Sequence, residues 1–193
     1  MRILLPLLAA LALAGCVPNN VRQNEAAVFD IGIAASGWAA PALQRIDVAA
    51  PSWLGTAAMQ YRLAYSDAAR RRAYADSRWA APPAELLERA LRRRAVAAAG
   101  EPMLACRLRI EIDEFVQAFD APQTSRVVIA VRARLVSRFE QPLLGRSFGI
   151  ERPAGSDARG GVAATAVAVE ELGNQLAAWV AAEKSALATR CLE

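Results

Sequence analysis

Leu104-Ala105-Cys106-Arg107-Leu108-Arg109-Ile110-Glu111-Ile112-Asp113 decides the fold. Leu104, Cys106, Leu108, Ile110 and Ile112 alternate with Ala105, Arg107, Arg109, Glu111 and Asp113, the period-two pattern of a strand with one buried and one wet face. After Asp120-Ala121-Pro122-Gln123, which has turn chemistry, Val127, Ile129, Val131, Ala133 and Leu135 repeat the pattern, with Arg132, Arg134 and Arg138 opposite. The two runs predict a long antiparallel hairpin. Leu143 to Ile150, after Gln141-Pro142, predicts a shorter strand next to it.

Upstream, Val28 to Ile33, Leu43 to Ala49 and Thr56 to Tyr65 predict three more strands, with Trp38 to Pro41 as a loop. In the third, Met59, Tyr61, Leu63 and Tyr65 face one way and Ala58, Gln60, Arg62 and Ala64 the other. Pro82-Pro83-Ala84-Glu85-Leu86-Leu87 opens a helix. Proline is tolerated in its first turn, Glu85 complements the positive helix end, and Leu86, Leu87, Ala90 and Leu91 form the apolar stripe. Arg92-Arg93-Arg94 lies where the helix dipole favours cations, and Gly100 follows.

Downstream, Gly155 to Gly161 reads as a polar loop. Val162 to Leu187 reads as a helix with Ala166, Val169, Leu172, Leu176, Trp179 and Val180 at helical spacing. The expected fold is α+β in a single domain: a mainly antiparallel β-sheet packed against two principal α-helices.

The first residues have a different chemistry. Arg2 supplies a positive start, and Ile3 to Ala14 form an apolar stretch too short for a spanning helix, which needs ~20 residues. Leu13-Ala14-Gly15-Cys16 closes it and resembles a bacterial lipobox, in which Cys16 receives a diacylglycerol thioether after cleavage behind Gly15. The other reading is a structural cysteine after an ordinary signal peptide. Each acyl chain contributes ~0.8 kcal/mol per buried methylene, so several chains anchor a protein permanently. The expected organisation is a lipoprotein signal peptide over 1–15, a lipidated tether over 16–26 and one domain over 27–193. Val17 is not the aspartate of an inner-membrane retention signal, so the expected location is the periplasmic face of the outer membrane.

Composition narrows the chemistry. The chain has no histidine, which removes the commonest general base and metal ligand and every Ser-His-Asp arrangement. Neither Gly-x-Ser-x-Gly nor Cys-x-x-Cys occurs, and Gly155-Ser156-Asp157-Ala158-Arg159-Gly160-Gly161 lacks the lysine of a phosphate loop. The expectation is no catalytic residue, no metal and no cofactor. A net charge of +4 is mildly basic. In the periplasm, lipid head groups are the available anions and nucleic acid is not an expected partner. With Cys16 lipidated, Cys106 and Cys191 remain as an even pair in an oxidising compartment. Cys106 points to the buried face of its strand and Cys191 follows the long helix expected on that face, so a disulfide is expected; two unpaired buried thiols are the alternative.

Met59-Gln60-Tyr61-Arg62-Leu63, then Tyr74-Ala75-Asp76-Ser77-Arg78-Trp79-Ala80-Ala81-Pro82-Pro83 and Leu86-Leu87, resembles the ABC-type transport auxiliary lipoprotein family, including its PqiC (YmbA) branch. Members place a strand ending in Tyr-Arg shortly before a Trp-x-x-Pro segment that opens a helix. Phe29-Asp30-Ile31-Gly32, Ala50-Pro51-Ser52-Trp53-Leu54 and Arg146-Ser147-Phe148 agree in order.

The resemblance implies a non-enzymatic auxiliary subunit of an MCE-type, ABC-linked lipid transport system that maintains envelope integrity. Implied partners are the membrane, through lipid on Cys16, an MCE-domain periplasmic protein and phospholipid; a homo-oligomer is compatible. Candidate partner-binding residues are Tyr61, Arg62, Tyr65, Tyr74, Arg78 and Trp79. Their alternative roles are packing for Tyr61 and Trp79, as for Trp53 and Trp179, and pairing of Arg62 and Arg78 with Asp67 or Asp76. A rival function is a periplasmic carrier holding an acyl chain in its own core, which a large internal apolar cavity would favour.

Overall fold

The computed structural model describes residues 25–32, 38–40, 43–97 and 104–191. The signal peptide, Cys16, the tether up to residue 24, Ile33, Pro41 and Gly100 lie outside the described residues. The described strands are β1 (Ala27–Phe29), β2 (Trp38–Ala40), β3 (Leu43–Ala49), β4 (Ala58–Leu63), β5 (Ala68–Trp79), β6 (Ala95–Ala97), β7 (Leu104–Ala121), β8 (Thr124–Val136) and β9 (Pro142–Ala154). The helices are α1 (Ala64–Asp67), α2 (Pro83–Arg94), α3 (Ala158–Ala182) and α4 (Lys184–Arg190), with a 3-10 turn at Ser52–Leu54.

The main sheet has seven strands in the order β1-β5-β4-β7-β8-β9, with β3 also paired to β7. The expectation of a mainly antiparallel sheet and two principal helices is corrected here. β1–β5, β3–β7 and β4–β7 are parallel, so the sheet is mixed, and four α-helices are described. The physical reason is the length of β7. One edge carries β8 in antiparallel register, from Arg107↔Val136 to Ala121↔Thr124. The other edge is shared end to end, by β3 from Leu43↔Leu104 to Ala49↔Glu111 and by β4 from Tyr61↔Gln117 to Leu63↔Phe119.

The long helix expected to Leu187 ends at Ala182, and Glu183 separates it from α4. Its start lies earlier than expected because Asp157 caps it, accepting from the Gly160 N–H at 2.7 Å. Trp38–Ala40 pairs in parallel with Ala95–Ala97 as a separate two-stranded sheet, where a loop was expected.

The helices α2, α3 and α4 lie on one side of the main sheet. Their buried Leu86, Leu87, Leu91, Leu172, Leu176, Val180 and Leu187 join Leu108, Ile110, Ile129, Leu135 and Ile150 in one core. Burying each such side chain stabilises by about 1.5–3 kcal/mol. Cys106 and Cys191 are bonded as a disulfide with Cα atoms 5.1 Å apart, fixing the end of α4 beneath β7. The free edge of β3 is blocked by α2: the Val48 N–H donates to Glu88 Oε2 at 3.0 Å, and Arg92 donates to the Ile46 carbonyl at 3.0 and 3.1 Å.

Candidate partner-binding surface

The opposite side of the sheet carries none of α2, α3 and α4, and its chemistry is that of the polar positions of β7 and β8. Arg132 donates to Asp113 through Nε and Nη2 at 2.8–3.1 Å and reaches Glu111 at 3.0 Å. Arg134 pairs with the same Glu111, while Arg107 and Arg109 both pair with Glu140. This ladder is half exposed, so each pair contributes little to stability. It leaves the face hydrophilic but locally neutralised. The hydrogen bond from Arg132, followed by the guanidinium charge, holds the Asp113 carboxyl below the ordinary aspartate range.

Asp113 sits at a bulge in β7: Ile112 pairs with Val131 and Glu114 with Ala130, leaving one residue over. Next to it lies a groove of about 360 Å³ lined by Ala49, Ala50, Pro51, Trp53, Ile112 and Arg132 among others. Trp53 is 55% exposed and comes from the 3-10 turn that carries the chain off β3. Gln60 donates to its carbonyl at 2.6 Å, and the Arg71 guanidinium lies 6.0 Å from its ring centroid. The sequence reading placed Trp53 among residues packing in the core or at an interface, and its place in a turn after Pro51, rather than at an apolar position of a strand, keeps it out of the core.

The six candidates from the family-like stretch divide between the two sides. Tyr61, Tyr74 and Trp79 turn inward. Trp79 is 5% exposed and meets Phe115 edge-to-face at 5.8 Å. Tyr61 lies 4.7 Å from the Tyr74 ring and 5.9 Å from Phe119. The Tyr74 hydroxyl donates to Gln117 Oε1 at 2.9 Å, and Gln117 Nε2 donates to Ser125 Oγ and the Gly155 carbonyl, each at 2.8 Å. Burial, reinforced by Tyr61, Asp157 and Asp76, pushes the Tyr74 phenol far above the ordinary tyrosine range. Gly161 leaves room for this network: a Cβ there would lie 2.1 Å from Gln117 Oε1, so the amide would have to shift.

Arg62, Tyr65 and Arg78 do not join them. Arg62 pairs with Glu114 at 2.7 Å and donates to the Ala68 carbonyl at 2.8 Å; Arg71 holds the other Glu114 oxygen at 2.7 Å. Neither Asp67 nor Asp76 is the partner of Arg62. Tyr65 is 49% exposed on α1. Arg78 is exposed opposite Val28, itself exposed, on the side of the sheet away from Trp79. Phe139, 61% exposed in the β8–β9 turn with the Arg138 guanidinium 4.5 Å from its centroid, was also missed, for an isolated phenylalanine in a turn carries no periodic signal.

Beside Trp79, the described core holds little space for the acyl chain of the rival carrier. The void beside Met59, Tyr74, Trp79, Phe115 and Gln117 measures about 10 Å³, against the ~300–1,000 Å³ of a ligand pocket. Among the described residues no group of three Cys, Asp or Glu side chains is gathered as a metal site. The carboxylates on the open face are held by arginines, an arrangement suited to binding.

The family model of the ABC-type transport auxiliary lipoprotein component matches residues 34–177. A crystal structure of a Xanthomonas campestris protein shares the fold with a TM-score of 0.67 at 17% identity, covering 82% of this chain and 97% of that one. A crystal structure of an uncharacterized protein gives 0.62, again at 17% identity, covering 81% and 99%. No curated protein sequence matches. The chain belongs to the ABC-type transport auxiliary lipoprotein component family.

Proposed function

We propose that this family member is lipidated on Cys16, held at the periplasmic face of the outer membrane, and serves as a non-enzymatic adaptor for an MCE-domain protein of an ABC-linked lipid transport system. Residues 1–15 are then its signal peptide, 16–26 its tether and 27–193 its working domain. The reading is carried by the filled interior: a void of about 10 Å³ beside Trp79 cannot take an acyl chain. A domain of this family with no room for lipid in that core works through its surface.

The partner is engaged by the open side of the sheet, with Trp53 and its groove at the centre and Val28, Arg71 and Arg78 around it. Aromatic and arginine side chains dominate interface hot spots, and a ladder of compensated charges can be covered without desolvating a bare ion. Tyr61, Tyr74 and Trp79 act indirectly, as the packing that fixes β4 and β5 beneath that surface.

Envelope co-purification tests the reading. Wild-type protein should bring down an MCE-domain protein from detergent-solubilised envelopes, and Cys16→Ala should accumulate as an unprocessed precursor that brings down less. Recovery of no MCE-domain protein, together with intact envelopes in a strain lacking the lipoprotein, would refute the adaptor.

A further inference from the structure

The route by which the tether enters the domain restricts which end of it can meet the membrane. β1 runs parallel to β5, with Ala27 opposite Ser77 and Phe29 opposite Trp79. The chain before Ala27 therefore arrives from the direction of Ala68, the start of β5, where α1 turns between β4 and β5. Ala68 precedes Ser77 by nine positions, three of them taken up by the register shift between Ala73 and Arg78, which leaves an overhang of about 20 Å at ~3.3 Å per residue. Cys16 precedes Ala27 by eleven positions, and a fully extended chain of that length spans at most ~40 Å. A tether directed along β1 therefore reaches at most about 20 Å past the α1 end, and a shorter reach brings that end to the bilayer surface.

The α1 end has the chemistry for that contact. Tyr65 is 49% exposed at its tip, and residues 65 to 70 are exposed in an unbroken run. The Asp67 carboxylate accepts from the N–H groups of Ala69 and Arg70, at 3.1 and 3.2 Å, which shapes the turn. Arg70 and Arg72 form no salt bridge among the described residues, unlike Arg62 and Arg71, which share Glu114. A tyrosine flanked by uncommitted arginines is the composition found at the head-group level of membranes, where each cation is attracted by the anionic surface. The β8–β9 turn, with Phe139 and Arg138, lies at the other end of the sheet, beyond Arg107↔Val136.

We infer that the α1 turn, through Tyr65, Arg70 and Arg72, rests on the anionic head groups of the membrane that holds the lipid anchor, so the Phe139 turn points away from it. This rests on lipidation of Cys16. The full-length lipidated protein is reconstituted into phosphatidylethanolamine–phosphatidylglycerol vesicles with head-group nitroxide lipid. A fluorophore is placed at Tyr65→Cys in one sample and at Phe139→Cys in another. Quenching should be several-fold stronger at position 65, and Arg70→Ser/Arg72→Ser combined with a ten-residue Gly/Ser insertion in the tether should abolish the difference. Flotation of the protein with equal quenching at both positions, or stronger quenching at 139, overturns this inference while leaving lipidation standing. Failure of the wild-type protein to float any better than Cys16→Ser removes the lipidation reading and the inference with it.

Discussion

The two halves of β7 behave differently on either side of Asp113. Before it, Cys106, Leu108, Ile110 and Ile112 are buried, while Arg109 stands exposed opposite Arg134 and Glu111 half-buried opposite Arg132. Beyond it, Phe115, Val116, Gln117, Ala118 and Phe119 are buried in succession. The bulge inserts one residue and reverses which positions face the helices. On the open side, Glu114, Arg62 and Arg71 close over the strand; on the other, Tyr61, Tyr74 and Gln117 fill the space up to Gly161. One strand thus supplies a wet face in its first half and a two-sided core in its second. A single irregularity decides which conspicuous residues can meet a partner.

Substitutions on the two sides of that boundary should differ in size. Trp79→Ala, in the two-sided core against Phe115, should cost ~3–5 kcal/mol in urea unfolding and lower abundance. A loss below about 1 kcal/mol would mean that the second half is not a core. Removing the disulfide with Cys106→Ala and Cys191→Ala comes next. The bond spans a separation of 85 residues and should stabilise by roughly 2–4 kcal/mol. Two reactive thiols found in the exported wild-type protein under denaturing, non-reducing conditions would show that the bond is not made.

Gly161→Ala forces a methyl group against the amide of Gln117 and should cost ~1–3 kcal/mol. Pairing it with Gln117→Ala should recover part of the loss, and strict additivity would argue against the contact. On the wet half, Arg132→Ala should leave the urea unfolding midpoint nearly unchanged, because solvent screens its exposed ion pairs. Its effect appears in titration instead. Asp113 has a lowered pKa in the folded protein, so its contribution is present above the unfolded aspartate pKa and is lost as pH falls through the lower folded value. Carbon-detected NMR should show the Asp113 midpoint rise in Arg132→Ala; an unchanged midpoint would remove Arg132 as the cause.

What the sequence discloses follows the same boundary. The alternation from Leu104 to Ile112 and from Val127 to Leu135 is a local record of one buried and one wet face, and β7 and β8 occupy those stretches. The Leu86, Leu87, Leu91 stripe likewise marks α2. β5 was not legible. Ala68-Ala69-Arg70-Arg71-Arg72-Ala73 has good helix formers and no alternation, and it becomes a strand through its pairing with β4. The parallel pairs leave no mark either, since a parallel partner is reached by a long crossover instead of a tight turn. The bulge at Asp113 is silent because the next residues, Glu114-Phe115-Val116, read equally well in either register. For the candidate surface, the run from Tyr61 to Trp79 contains residues of both sides of the sheet. Which of its residues point outward depended on pairing that no spacing encodes.

The central claim is that the open side of the sheet binds and the packed side only supports. The most direct test is the affinity of the purified domain for the proposed MCE-domain partner, measured for wild type and Trp53→Ala at matched thermal stability. A loss of 2 kcal/mol or more, about 30-fold in Kd, with an unchanged unfolding midpoint is the predicted result. Unchanged affinity in Trp53→Ala, or one phospholipid retained per chain in native mass spectrometry of the wild-type domain, would contradict it.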